Sequence, residues 1–369
     1  EVPWADYFQK LLTETAGGNA PDVMWVGSLW IPQFWAKGVV RNLDPYIAAA
    51  TDFDVDDYFP KWMDYMYWGG SIFYLPTRGA TIGLYYNRDL FDAAGVEYPT
   101  EKWTYKEDFV NAAKKLTVKE GGRTKQWGCY VNCKGQDVWF NIFPTWDSSI
   151  LSEDNCTCTL DEPNAIEAYQ FIADLALVQD VNIKPGDVDV PSPELFETGR
   201  IAMYLGGCPL RVRFEKNITN FAWDVAMPPL GPRGSRGSPG WYGGTGMACK
   251  AKEPDWAWKF LKYQHSYDVQ VQYAKVRGYF PMLMEAAKDP AFVAPPPEHA
   301  DVFLKMTPYA AKDPMTTKYS KVRSLFIRDQ DLVIAGDKKA AEVFPALKKE
   351  LDPILAEGCK EAANAKPCG

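Results

Sequence analysis

The sequence predicts an α/β protein built as two lobes. Three observations carry this expectation. Strand-like and helix-like segments alternate along the whole chain, 369 residues suit two ordinary domains better than one, and glycine- and proline-rich breaks interrupt the pattern at intervals. Alternation of this kind implies layered sheets with largely parallel strands.

The elements follow in order. A first helix covers about 4–16 and stops at Gly17-Gly18. Pro21-Asp22 then leads into the apolar run Val23-Met24-Trp25-Val26, a buried strand, and Gly27-Ser28 turns the chain into a helix over 29–37. Residues 71–76 and 81–87 read as strands, followed by a helix over 89–94 closed by Gly95. Thr104-x2-Glu107 has the spacing of a capping box that opens a helix to Leu116. Residues 165–178 form an amphipathic helix and 193–198 a short one. The stretch 228–246, dense in glycine and proline and carrying Trp241-Tyr242, reads as a loop or crossover. Helices over 256–274 and 340–355 complete the pattern, with Pro295-Pro296-Pro297 a break between them.

Composition narrows the function. Net charge is −8 with acids and bases interspersed, which argues against nucleic acid, whose binders concentrate basic charge on one face. There is no apolar run of about 18 residues to span a membrane. The residues Glu1-Val2-Pro3-Trp4 read as the interior of a folded chain, so any export segment is expected outside this sequence. Fourteen tryptophans are more than a core requires, whereas His265 and His299, the only histidines, leave little for a histidine metal site or general base. No metal or cofactor is expected. Eight cysteines fit an oxidising compartment; they allow on the order of a hundred pairings, and Cys359 with Cys368 is the favoured pair. Neither GxGxxG after a strand nor a Walker loop is found, which removes nucleotide enzymes.

Several short motifs recur in a familiar order. They are Gly17-Gly18-Asn19-Ala20-Pro21-Asp22-Val23, Tyr74-Leu75-Pro76, Gly83-Leu84-Tyr85-Tyr86-Asn87-Arg88-Asp89-Leu90-Phe91, Phe196-x2-Gly199-Arg200-Ile201-Ala202-Met203, Met227-Pro228-Pro229 and Gly243-Gly244-Thr245-Gly246-Met247-Ala248. In this the sequence resembles extracellular solute-binding proteins of the carbohydrate class, the group that includes maltose-binding protein. The resemblance implies a type II periplasmic-binding-protein fold: two α/β lobes with a hinge and a ligand cleft between them. The first lobe is expected from 1–79 and 245–312, with the family's first strands outside this sequence, and the second from 80–244 and 313–369. The function implied is the binding component of an ABC importer, working with membrane permease subunits. It would be a monomer, periplasmic or extracellular, with or without a lipid anchor, and not an enzyme.

A sugar presents an apolar C–H face and a rim of hydroxyls, so its site needs flat rings and planar polar groups. Trp25, Ser28 and Trp30 surround a strand-to-helix turn, where α/β ligands sit; Trp25 alternatively finishes a core strand. Asp137 and Trp139 form an acid–aromatic pair, and Asp137 alternatively is a solvated loop acid. Trp241, Tyr242, Gly244 and Thr245 fall at a crossover with free backbone N–H groups, as does Gly207 after its strand; Arg211 and Arg78 are candidate hydroxyl or carboxylate donors. Tyr85-Tyr86 reads as structural, because successive strand residues face opposite ways. The rival functions are a glycoside hydrolase, which needs two carboxyls about 5–10 Å apart, and the same fold binding a polyamine, a glycerol phosphate or a metal complex.

Overall fold

The computed structural model describes residues 4–368 except 64–65, 136, 185, 189–191, 241–242, 312–313 and 366–367. Eight strands build its two main sheets: β1 (Val23–Gly27), β2 (Leu75–Arg78), β3 (Ile82–Asn87), β4 (Val118–Glu120), β5 (Arg123–Tyr130), β6 (Ile201–Gly207), β7 (Trp223–Ala226) and β8 (Gly243–Met247). The helices that matter below are α1 (Trp4–Ala16), α2 (Val110–Leu116), α3 (Pro163–Leu177), α4 (Leu210–Asn217), α5 (Pro254–Gln264), α6 (Tyr267–Arg277), α7 (Tyr319–Ile334) and α8 (Ala340–Asn364).

One part of the molecule, the first half, is built on a three-stranded sheet of order β1-β8-β2, and the other, the second half, on a five-stranded sheet of order β4-β5-β6-β3-β7. The fold is the expected mixed α/β type, but its sheets are not largely parallel. Among these pairs only β5 and β6 run parallel. Alternation of helix and strand fixes layers, not strand direction. The chain enters the second sheet through β3 from the opposite end to β6, so β3 pairs antiparallel on both sides.

All six residues of β3 are buried, so this strand lies between two packed layers. Leu84 and Tyr86 join the core built by α2, α3, α7 and α8. Tyr85 points the other way, edge-on to Phe214 of α4 at 5.1 Å, and its hydroxyl donates to the Gly207 carbonyl at 3.0 Å. The alternating faces predicted for this pair are therefore found, and each buried ring removes apolar area worth about 2 kcal/mol from water.

Other expectations needed correction. The capping box is not formed by Glu107. Residues Tyr105–Phe109 make a wider π turn, which moves the reaching acid from the third to the fourth position. Asp108 instead accepts from the Thr104 N–H at 2.8 Å and from its hydroxyl at 3.0 Å. The helix expected over 256–274 is two helices, α5 and α6, broken at His265-Ser266. Cys359 and Cys368 are not bonded to each other. The pairs are Cys156–Cys359 and Cys249–Cys368, 203 and 119 residues apart. The reason is that α8 runs on to Asn364, so Cys359 faces a loop of the second half while Cys368, beyond the helix, has reached the first.

The chain leaves the first sheet at Arg78 and enters the second at Ile82, then leaves at Ala226 and returns at Gly243. Between these, Ser238-Pro239 pairs with Ala310-Ala311. Gly79 is held on the first side of its crossing by reciprocal 3.0 Å backbone bonds with Phe280. A side chain there would run into the Trp62 ring at 2.6 Å, so the position requires glycine. No described helix is long and apolar enough to cross a membrane.

Candidate functional site

A cavity of about 340 Å³ opens where the carboxyl ends of the parallel pair β5 and β6 meet the crossover residues Ala80 and Pro239. Its volume lies in the range of small-molecule sites, and its position is the one α/β folds use for ligands. Tyr130 and Tyr204 stand opposite each other in the parallel register, with rings stacked at 5.0 Å and 27°. They form one wall. Tyr204 shares a 3.1 Å hydrogen bond with the Ser192 hydroxyl, and burial holds both phenols above their usual range, so they are neutral donors.

The polar wall comes from the segment after β5. Asp137 lines the cavity, and its carboxylate accepts a hydrogen bond from the Asn132 amide, which in turn accepts from the Lys134 N–H at 3.0 Å. Burial raises the Asp137 pKa, partly countered by the Asn132 bond. One helical turn on, Asn141 is 6% exposed, lines the same cavity, and has a side-chain oxygen with no hydrogen-bond partner among the described residues. A buried acceptor left open in this way costs free energy until a donor fills it. Gly206, Gly207, Pro209 and Leu210 close the remaining side. None of the described lining residues is Lys or Arg.

Of the residues singled out from sequence, Asp137 and Gly207 lie in this wall. Trp139 is 3% exposed, with its ring edge-on to Phe326 at 5.4 Å and Tyr319 at 6.2 Å. Trp30 meets the same Tyr319 ring at 5.4 Å from the first half, stacked on Phe8 of α1 at 4.1 Å. Trp25 is the middle residue of β1, and Ser28 follows its carboxyl end. The Trp25 ring lies across Gly243, where an added Cβ would stand 2.2 Å from it. Arg78, at the end of β2, holds its guanidinium 5.4 Å from the Trp25 ring and 4.6 Å from Tyr279. Gly244 is packed against the Leu75 backbone, and the Thr245 hydroxyl donates to the Gln264 side-chain oxygen at 2.7 Å. Arg211 is 4% exposed and donates to the carbonyls of Ala291, at 3.0 Å, and Phe292. Trp241 and Tyr242 lie outside the described residues.

Sequence reasoning missed Tyr130, Asn132, Asn141, Ser192 and Tyr204. The one available signal was that Tyr130 closes the run Trp127-Gly128-Cys129-Tyr130, the inner half of its strand, and that Tyr204 stands two residues before Gly206-Gly207.

Two other places hold polar clusters. Asp224, Glu298 and His299 bring three potential metal-ligand atoms within 4.8 Å of one another. Asp224 already binds the His299 ring at 2.6 Å and its N–H at 3.0 Å, and Glu298 pairs with Arg88 at 3.3 Å, so each member has a protein partner. A groove of about 550 Å³ runs between Asp52–Tyr58 and Lys259–Tyr267 on the first half, with its Lys262 paired to Asp52 at 2.5 Å.

A family model described as bacterial extracellular solute-binding protein matches residues 1–271. A putative binding protein of Brucella abortus (strain 2308) is 26% identical over 361 residues, covering 96% of this chain and 84% of the relative. The sn-glycerol-3-phosphate-binding periplasmic protein of Rhizobium meliloti (strain 1021) is 23% identical over 332 residues, 85% of this chain and 73% of the relative. Among solved structures, an ABC substrate-binding protein from Listeria monocytogenes in complex with cycloalternan superimposes with a TM-score of 0.86 at 25% identity, covering 96% of this chain and 90% of that one.

Proposed function

We propose that this chain, which belongs to the bacterial extracellular solute-binding protein family, captures a neutral carbohydrate between its two halves and delivers it to the permease of an ABC importer. Proteins of this family and fold bind substrates and are not enzymes. The sugar assignment is the finer step, and one observation carries it: the lining of the cavity at the ends of β5 and β6. A stacked tyrosine pair offers a flat apolar wall, while Asp137, Asn141 and Ser192 offer acceptors and donors at its edge, with no cation among them. Stacking on C–H faces and hydrogen bonding to hydroxyls need this combination.

The same lining weighs against the glycerol phosphate named for the Rhizobium relative. A phosphate entering here would meet the Asp137 carboxylate with no Lys or Arg in the described wall to offset it. A polyamine would find a single carboxylate in the described wall for several ammonium groups.

In the mechanism we propose, ligand held by the second half is covered by the first, with bending at Ala80-Thr81, because Gly79 is pinned to Phe280 and Ile82 is fixed in β3. Trp25 of β1, Ser28 and Trp30 just past it, and Arg78 at the end of β2 are the first half's proposed contribution, to which the sequence adds Trp241, Tyr242, Gly244 and Thr245. Closure selects a state already accessible to the free protein.

A thermal-shift screen tests the reading. Neutral oligosaccharides such as maltotriose, mannotriose and cycloalternan are expected to include one that stabilises by about 4 kcal/mol at a thousandfold excess over its Kd, a rise of several degrees in Tm. A shift with glycerol 3-phosphate or spermidine and with no sugar would overturn the assignment.

A further inference from the structure

Two disulfides fix one short run of chain on opposite sides. Cys359, near the end of α8, is bonded to Cys156 of the second half, and Cys368, just past the helix, to Cys249, which follows β8 in the first. α8 begins in the second half, where Phe344, Leu347, Leu351 and Leu355 fill its core. Its far end leaves that core. Ala362 and Ala365 pack against a second core cluster, which holds Phe34, Val39 and Val40 of the first half together with the Tyr85 face of the second sheet, and Glu361 comes near Lys37, just past the Ile31–Ala36 helix. Beyond it, the Cys368 carbonyl accepts from the Asn42 N–H at 3.2 Å, and Cys368 bridges to Arg41.

We propose that the run from Cys359 to Cys368 is a covalent strap that limits how far the two halves swing apart. The Ile31–Ala36 helix follows the carboxyl end of β1, where Gly27 pairs with Gly243 and Gly243 with Arg78, beside the crossover at Ala80. Separating the halves at that end draws α8 away from the first half and tightens the run behind it. The run is short: from Asn364, the end of the helix, to Cys368 an extended chain spans at most about 14 Å. Further opening requires unwinding the last turn of α8, where Glu361 accepts from the Lys318 ammonium and, at 2.9 Å, from the Thr317 hydroxyl.

The strap presupposes the clamp motion proposed above, so its test separates the two. Small-angle X-ray scattering is recorded on ligand-free wild type, on the Cys249→Ser/Cys368→Ser double variant, and on a variant with six Gly/Ser residues inserted after Ala365 and every cysteine kept. Starting from a compact radius of gyration of about 21 Å, both variants are expected to expand by about 1 Å. The insertion variant keeps both disulfides, so its expansion reports strap length and not lost cross-linking, and it decides the matter if the double variant fails to fold. Wild-type scattering from a folded insertion variant would overturn the strap. If wild type still contracts with the sugar that raises its Tm, the clamp survives that result; if no sugar contracts it, the clamp itself fails.

Discussion

Replacing Asp137 with Asn is expected to weaken binding of a neutral oligosaccharide about 10- to 150-fold, the cost of losing hydrogen bonds to a charged acceptor. The carboxylate is the only acidic group among the described lining residues, and it can accept two hydroxyl hydrogens at once. The fold should survive, since Asn keeps an acceptor for Asn132 and removes a charge that burial opposes. The pH dependence follows with a definite sign. Burial raises the Asp137 pKa, so its carboxylate is protonated at a pH above the range of exposed carboxyls, ordinarily about 3.9. Because the ligand binds the ionised form, wild-type affinity falls as pH falls through that raised value, and Asp137→Asn loses this dependence. Calorimetry from neutral to mildly acid pH checks both; equal affinities for the two proteins at neutral pH would remove Asp137 from the site.

Replacing Gly207 with Val is expected to abolish measurable binding, a loss of about 100-fold or more, while leaving the fold nearly intact. A Cβ at Gly207 meets Pro209 at 3.3 Å and otherwise only the Thr81 carbonyl at 4.0 Å, so the added methyls turn toward the cavity this residue lines. Gly206, its neighbour, has no such room: a Cβ there would stand 2.6 Å from Leu210 and 2.8 Å from Tyr204. The Tyr85 bond to the Gly207 carbonyl uses the main chain and is retained. Unchanged sugar affinity in a folded Gly207→Val variant would move the site elsewhere; a collapse of Tm without a change in affinity per folded molecule would make Gly207 structural only.

The sequence carried the alternating layers, the strand β3 and the acid of the cavity wall because each is written in a local pattern. Asp137 follows Gly135 in a polar break after β5, and Gly207 ends an apolar strand. Tyr130 and Tyr204 were illegible for the opposite reason. They meet only because β5 and β6 are parallel neighbours, a fact about register that no local period records. Arg211 follows the double glycine and so resembled a ligand donor, but the helical turn of α4 directs it at the carbonyls of Ala291 and Phe292, far off in sequence. The disulfides misled in the same way, since closeness along the chain suggested Cys359 with Cys368 while the length of α8 carries them to different halves.

Hydrogen–deuterium exchange, with and without the sugar that gives the largest thermal shift, tests the central claim most directly. If the chain closes on sugar at the ends of β5 and β6, protection should appear in Tyr130–Asn141 and Tyr204–Leu210, together with the turn after β1. Protection confined to the groove between Asp52 and Tyr267, with none at those two segments, would contradict it.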